Sequence, residues 1–361
     1  MTAMKMNIRI KILVCIGLCT IYLQSCKPKE QPEKEDKRLK ALIIDGQNNH
    51  GIWPKTTAMM KDYLEQTGLF TVDVARTAIT WQGPHSDQDD GLGEQKRMGL
   101  LKAYPIQGLS ETTMIPEPAT DANFKPDFSN YDVVISNFGW KAAPWPEETR
   151  TALEMFVSGG GGLVVTHAAD NSFGDWDQFN KMIGLGGWGD RSEKTGPYVY
   201  YDKDNHLVRD TTAGPAGSHG KQYPFLITVT DQNHPITQGM PTQWLHAKDE
   251  MYDRLRGPAQ NMTILATAYS DKKQNDSPFS ELTGTDRNEP MMITVEYGNG
   301  HVFHTPLGHT DYSMECVGFI VMFQRAAEWA ATGKVRDPKI PADFPGKDSV
   351  SVRKWKGTSP D

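Results

Sequence analysis

The sequence predicts an α/β protein with a mostly parallel central sheet, helices on both faces of the sheet and a C-terminal hairpin. A strand-like run, a helical pattern and a second strand-like run follow one another within residues 40–76, which is the βαβ signature of a parallel sheet. The run "GLVVTHAA" is almost wholly apolar, as expected of a parallel strand that is buried on both faces. The turn "YGNG" at residues 297–300 joins two strand-like runs and predicts a hairpin.

The remaining elements follow from apolar spacing and from Pro and Gly at the ends of each pattern. A helix is expected where apolar residues recur at helical spacing, and a strand where a short β-branched run lies between turn residues. Strands are predicted at 40–45, 71–76, 131–140, 162–169, 223–231 and 262–270 and within 291–308, and helices from Pro54 to Gly68, from Pro146 to Gly159 and from Ser313 to Thr332.

The first residues have the pattern of an export signal. Three basic residues precede an apolar run from Ile12 to Leu23, which is shorter than the roughly 20 residues that span a bilayer. The segment "LQSC" resembles a bacterial lipobox, in which Cys26 becomes the lipidated first residue of the mature protein. The alternative is an ordinary cleaved signal with a chance cysteine. We therefore expect a lipoprotein signal peptide at 1–25 and an exported protein that is lipid-anchored on the periplasmic or cell-surface side.

The segment at 26–38 carries mixed charges and no large apolar side chain, so we expect a flexible tether between anchor and domain. Such an anchor would hold the domain at a membrane surface without embedding it. The domain is expected at 39–335 and a polar tail at 336–361. Residues 77–128 are polar and rich in Gly and Pro, which predicts an insertion over one edge of the sheet with a helix near Gln95–Ala103.

Charge and cysteine content narrow the class of protein further. The formal net charge of −7 includes three basic residues of the predicted signal, so the mature chain is more acidic still, which argues against a nucleic-acid partner. Cys15 and Cys19 lie in the signal and Cys26 would carry lipid, so that only Cys316 belongs to the domain. Without a disulfide framework, stability must come from an apolar core.

Seven stretches in this order resemble the ThuA-like family, which is named for trehalose utilisation. They cover residues 39–335 and read "LIIDGQNNH", "YDVVISN", "GGGGLVVTHAA", "NHPITQGMP", "DEMYDRL", "YGNGHVFHTPLGH" and "AAEWAATG". The resemblance implies a flavodoxin-like fold of the class I glutamine amidotransferase type and a role in sugar catabolism. In amidotransferases the turn after the corresponding strand carries a cysteine nucleophile, whereas this turn reads Thr166-His167-Ala168 and Cys316 lies in a predicted helix. We therefore expect no thiolate at the site and no glutamine hydrolysis.

The candidate catalytic residues are three histidines and one carboxylate. Ligands of open α/β sheets bind at the carboxyl ends of the strands, where His167 lies, and "HTPLGH" places His304 and His309 at the end of a neighbouring strand. One or two of these three histidines could instead be hydrogen-bonded core histidines. Glu250 would act as a general acid or base, unless it forms a surface salt bridge.

Further polar and aromatic residues lie near the same predicted rim. Glu250 and Tyr252 share one face of an extended segment, and Asp249 points the other way. Histidines in polar loops, such as His206 and His219, are expected to be solvated. The expected substrate-binding residues are Asp45, Asn48, His50, Trp140, Asp170, Asp249 and Tyr252.

These residues suggest a hydrolase or another acid–base enzyme, and the resemblance to the ThuA-like family implies a sugar or glycoside as its substrate, of the trehalose or keto-glycoside type. Imidazoles and a carboxylate would also suit zinc or another divalent ion, although no compact ligand motif occurs. The alternatives are a non-catalytic sugar-binding module with a degenerate site and a subunit that needs a partner oxidoreductase.

Overall fold

The computed structural model describes residues 38–83, 94–106 and 112–357, and within them the chain forms strands and helices in alternation. The strands are β1 (Leu39–Asn48), β2 (Phe70–Gln82), β3 (Thr113–Met114), β4 (Val133–Ser136), β5 (Gly162–Thr166), β6 (Tyr198–Tyr201), β7 (Leu207–Asp210), β8 (Leu226–Val229), β9 (Gln243–Leu245), β10 (Met262–Tyr269), β11 (Asn288–Tyr297) and β12 (Gly300–Thr305). The helices are α1 (Trp53–Glu65), α2 (Glu94–Ala103), α3 (Glu147–Ser158), α4 (Asp177–Ile183), α5 (Asp311–Met314) and α6 (Val317–Thr332).

The strands form one sheet with a parallel half and an antiparallel half. Its path runs β3-β2-β1-β4-β5-β12-β11-β10-β8-β9, and β6 and β7 branch from β11. The pairs from β3 to β12 are parallel, and the pairs beyond β12 are antiparallel. The prediction of a mostly parallel sheet is therefore wrong for the second half, although the α/β class is confirmed. The short turn between β11 and β12 makes that pair antiparallel, since strands joined by a tight turn can only pair antiparallel.

Helices cover both faces of the sheet, as predicted. Ala41 and Ile43 of β1 pack in a core with α1 and α6, whereas Leu42 and Ile44 pack in a second core with α3 and α4. This alternation follows from the two-residue period of a strand. Ligands can therefore reach the sheet at the ends of its strands and not on its faces.

Several element boundaries differ from the sequence prediction. β2 continues to Gln82 and pairs with β3, so the start of the expected insertion belongs to the sheet. The expected final helix is two helices, because Cys316 leaves the helical conformation with φ −57° and ψ 125°. The hairpin between β11 and β12 is confirmed, and so is the helix predicted near Gln95–Ala103.

Residues after α6 pack back onto the domain. The carbonyl of Ser351 accepts the backbone N–H of Val317, and the indole of Trp355 donates to Asp62 of α1 at 2.8 Å. In the described ranges, no helix is both long and apolar enough to cross a bilayer. The predicted signal peptide, Cys26 and the tether lie outside these ranges.

Two carboxyl groups are buried together beside β11. Glu289 is 2% exposed and accepts a hydrogen bond from the hydroxyl of Thr285, and Asp253 is fully buried and accepts from Ser270. Burial and the neighbouring charge of Asp253 raise the pKa of Glu289 to about 8. The folded chain therefore keeps a proton on Glu289 that the unfolded chain releases near its ordinary pKa of 4.5.

We expect Glu289→Gln to make stability less dependent on pH. Raising the pH from about 4.5 towards 8 favours unfolding of the wild type, because the unfolded chain binds fewer protons there. At pH 8.5 the variant should be more stable by at least about 1 kcal/mol, since one pKa unit corresponds to about 1.4 kcal/mol. Near pH 5 the two unfolding free energies should converge. Urea denaturation at both pH values measures this, with the exposed Glu281→Gln as control; identical pH profiles of wild type and Glu289→Gln would refute it.

Candidate functional site

The carboxyl ends of three parallel strands bring three histidines together. β1, β4, β5 and β12 are successive parallel neighbours, so their ends meet at one edge of the sheet. His50 lies just after β1, His167 directly follows β5, and His309 lies in the loop after β12. The ring centroid of His50 lies 4.9 Å from that of His167 and 4.6 Å from that of His309, and all three side chains are buried.

His167 stands at a sharp turn where β5 ends. Its φ of 45° lies in the left-handed region, which costs a residue other than Gly roughly 1–3 kcal/mol. Its Nδ1 lies 2.8 Å from the carbonyl oxygen of Pro306, and its Nε2 lies 3.0 Å from the hydroxyl of Tyr252. Because a carbonyl oxygen only accepts, Nδ1 carries the proton and Nε2 presents its lone pair towards the site.

Glu250 enters this cluster from the segment that follows β9. Its Oε1 lies 3.3 Å from Nε2 of His309, and its Oε2 lies 3.6 Å from Nε2 of His167 and 3.7 Å from Nε2 of His219. The side chain is only 5% exposed. Both carboxylate oxygens therefore face imidazole nitrogens in a site largely shielded from water.

The arrangement has the donor set of a metal site. One nitrogen each from His50, His167 and His309 and one oxygen of Glu250 all lie within 4.8 Å of one another. Donor atoms at about 2.0–2.1 Å from a tetrahedral zinc ion lie about 3.3 Å apart, so small movements would bring the three imidazoles around one ion with the carboxylate beside it. Burial, together with the charges of His50 and His167, lowers the pKa of His309 well below its ordinary value. A neutral ring is the form that binds a metal, so these residues fit a divalent ion of the zinc class.

Asp249 ties the two segments of the cluster together. Its Oδ1 accepts the backbone N–H groups of Glu250 at 2.8 Å and His309 at 3.1 Å, and its Oδ2 accepts that of Gly308 at 2.8 Å. Nε2 of His246 lies 2.8 Å from the same Oδ2, and Asp249 is fully buried. One carboxylate thus sets the position of Glu250 relative to the loop that carries His309.

Cys316 lies beside His246 at the start of α6. Burial raises the pKa of the Cys316 thiol, but the charge of His246 and its hydrogen bond, together with backbone hydrogen bonds to Ala247 and Phe319, lower it by more, so that the net shift is downward. Burial lowers the pKa of His246, but Cys316 and Asp249 raise it by more, to about 9. The sulfur of Cys316 is fully buried, and the residue at the turn after β5 is His167.

The structure places His304 and Asp170 outside the cluster. Nδ1 of His304 donates to the carbonyl of Ile183 at 3.0 Å, and its Nε2 lies 3.0 Å from Oδ2 of Asp170. Both residues are fully buried. His304 is still within β12, where a side chain points to a face of the sheet and not to its rim. Both ring nitrogens are therefore used inside the core.

Three other expected substrate residues have structural partners. Asp45 forms a two-pronged ion pair with Arg76 at 2.8 and 2.7 Å, which joins β1 to β2. Asn48 donates to two carbonyls after β4, accepts the backbone N–H of His50 at 2.9 Å and lines a small cavity beside the imidazoles. Trp140 is half-buried with the ammonium of Lys141 4.6 Å from its ring. Asn48 thus holds the loop of His50 in place.

Sequence reasoning missed His219. The prediction that loop histidines are solvated holds for His206, which is largely exposed, but His219 is half-buried and stacks on Tyr252 with ring centroids 5.6 Å apart. A bridge between Ser218 and Asp253 places it there. The local sequence around His219 contains no signal for this contact, because the contact joins segments that are far apart in the chain. His85 lies outside the described residues.

The protein is thus an α/β protein with a buried cluster of histidines and one carboxylate at the ends of its parallel strands. The chain belongs to the ThuA family, described as trehalose utilisation, whose profile matches residues 104–330. A ThuA-like protein from Parabacteroides merdae is 41% identical, with 88% of this chain and 98% of that chain covered and a TM-score of 0.70. A ThuA-like protein from Bacteroides uniformis is 17% identical, with 86% and 98% covered and a TM-score of 0.49. No curated protein matches the chain.

We expect Asp249→Asn to destabilise the fold by about 2–3 kcal/mol. The amide replaces one accepting oxygen by a donor that faces backbone N–H groups, which leaves buried polar groups without partners. Urea denaturation of the metal-free chain measures the change. Asp204→Asn, at an exposed carboxylate, should cost less than about 0.5 kcal/mol. Equal stability of the two variants would show that Asp249 does not organise the loop.

Proposed function

We propose that the chain is a divalent-metal-dependent acid–base enzyme that acts on a sugar or glycoside. The observation that carries this proposal is the convergence of four buried donor groups at the ends of β1, β5 and β12. His50, His167 and His309 would hold the ion, as three imidazoles do in many catalytic zinc sites. The family description, trehalose utilisation, supports a carbohydrate as the substrate class.

Glu250 is the proposed proton carrier. When bound, the ion would polarise a substrate oxygen or lower the pKa of water. The carboxylate of Glu250 lies 3.3 Å from the imidazole of His309, close enough to take a proton from a group held at the imidazoles. In this proposal His167 holds the ion and transfers no proton, because its Nδ1–H is fixed on the carbonyl of Pro306.

Tyr252 is the proposed hydrogen-bond donor to the substrate. Its hydroxyl lies 3.0 Å from Nε2 of His167 and accepts from the amide of Asn171 at 3.3 Å. Because Nε2 has one lone pair, Tyr252 could not donate to that nitrogen while His167 held an ion, and its hydroxyl would then be able to donate to the substrate. Burial raises the pKa of Tyr252 well above its ordinary value, so the group keeps this proton at neutral pH.

Substitutions should separate metal binding from turnover. We expect about one zinc ion per wild-type chain, and a loss of more than about 90% of it in His309→Ala or His50→Ala, because each removes one of three imidazole donors. Glu250→Gln should keep most of the metal and lower kcat by a factor of about 10² or more, as expected for loss of a general base. Elemental analysis of the full chain and a turnover screen measure this, using disaccharides and their keto derivatives with and without zinc.

His206→Ala, at an exposed histidine, is the matched control and should change neither quantity. If the chain is a sugar-binding module without catalysis, sugars should bind, but neither the wild type nor Glu250→Gln should show turnover. Wild-type metal content in both imidazole variants would contradict the proposed site. If only keto derivatives are turned over, a partner oxidoreductase must supply them.

We also propose that the chain is exported and anchored through lipid on Cys26, as the lipobox-like "LQSC" suggests. Cys26→Ser should move the protein from the detergent phase to the aqueous phase in a phase-partition experiment, because it removes the only attachment point for the acyl chains. Cys316→Ser, at a buried thiol, is the control. Detergent partitioning that survives Cys26→Ser would refute the anchor.

A further inference from the structure

A row of four aromatic rings leads from the protein surface to Glu250. Phe279 is 66% exposed, and its ring centroid lies 5.7 Å from that of His219. The ring of His219 stacks on Tyr252 with an interplanar angle of 27°, and Trp188 lies 4.9 Å from Tyr252 and 5.8 Å from His219. The inner end of the row is at the carboxylate, since Nε2 of His219 lies 3.7 Å from Oε2 of Glu250.

The backbone around Trp188 is arranged to place its ring. Trp188 has a φ of 46°, a left-handed conformation that a bulky residue adopts only when the surroundings enforce it. A side chain at Gly217 would lie 2.6 Å from the indole, so only glycine lets the ring pack there. The buried guanidinium of Arg191 donates to the carbonyls of Gly187 and Ser172 at 2.9 and 2.8 Å, which holds this loop.

Hydrogen bonds of Asn275 join the loop that carries Phe279 to the segments of His219 and Glu250. The Oδ1 of Asn275 accepts the backbone N–H of Gly220, next to His219, at 2.8 Å. Its Nδ2 donates to the carbonyl of Met251, next to Glu250, at 3.0 Å, and Asn275 is fully buried. The loop that carries the exposed ring is therefore joined to the segments of His219 and Glu250.

We propose that Phe279 and Trp188, with His219 between them and Glu250, form a platform that binds a sugar ring next to the reacting unit. This inference rests on the proposed function. The reacting sugar unit would lie at Glu250, and the neighbouring sugar ring of the same substrate would lie on the platform at the entrance of that site. A sugar ring presents an apolar C–H face to an aromatic ring and hydroxyl groups around its edge. Phe279 suits such a ligand, since it is a single exposed ring between exposed residues Pro278 and Ser280 and is not part of a wide apolar patch.

The test is a series of substitutions at Phe279 in the full chain, with trehalose, maltose and cellobiose as probes. Phe279→Ala should raise the Kd of the bound disaccharide about five- to tenfold, the range that one aromatic contact supplies. Phe279→Trp should keep or improve binding. Met155→Ala, at an apolar side chain that is 69% exposed on α3, is the matched control and should change nothing. Saturation-transfer NMR and calorimetry report binding without any need for turnover.

The outcomes separate this proposal from that of an enzyme. If a disaccharide binds and Phe279→Ala weakens it while no variant turns over any sugar, the platform stands and the proposed enzyme falls. If metal-dependent turnover occurs and both Phe279 variants keep the wild-type KM, the platform is refuted and the enzyme stands. Absence of binding for all three disaccharides also refutes the platform, and so does an equal loss in Met155→Ala.

Discussion

The carboxylate of Asp249 is the interaction on which the site depends. It accepts backbone N–H groups from Glu250, Gly308 and His309, which come from two segments far apart in the chain. The parallel strands alone would bring the histidines to one edge of the sheet, but they would not set the position of Glu250. A buried carboxylate is stable only when its oxygens have hydrogen-bond partners. The hydrogen bonds that stabilise Asp249 therefore also fix the position of Glu250 relative to the loop of His309.

The turn after β5 places an imidazole at the end of a central strand. His167 occupies a left-handed, strained conformation at the end of a central strand, the kind of turn that exposes a catalytic side chain in α/β hydrolases. Its Nδ1–H is fixed on the carbonyl of Pro306 and its Nε2 faces the site beside the hydroxyl of Tyr252, which is how a metal-binding imidazole is oriented. Membership of the ThuA family agrees with the fold and leaves the chemistry to be argued from these residues.

Local patterns in the sequence predicted most of the fold and part of the site. The apolar run of β5 and the turn at 297–300 are signals within single elements, and both led to the right structures. The antiparallel pairing of β8, β9 and β10 was not predictable in this way, because their pairing direction depends on which distant strands meet. The same limit applies to the site: His167 and Glu250 were expected at the rim, but the inward turn of His304 and the approach of His219 depend on contacts between distant segments.

The central claim is that His50, His167 and His309 hold one divalent ion beside Glu250. X-ray absorption spectroscopy of the zinc-loaded chain tests it most directly. The account predicts nitrogen and oxygen donors at about 2.0–2.1 Å, with the outer-shell scattering of about three imidazole rings. A sulfur donor at about 2.3 Å would instead place the ion at Cys316, and a spectrum without imidazole scattering would show that these histidines do not form a metal centre.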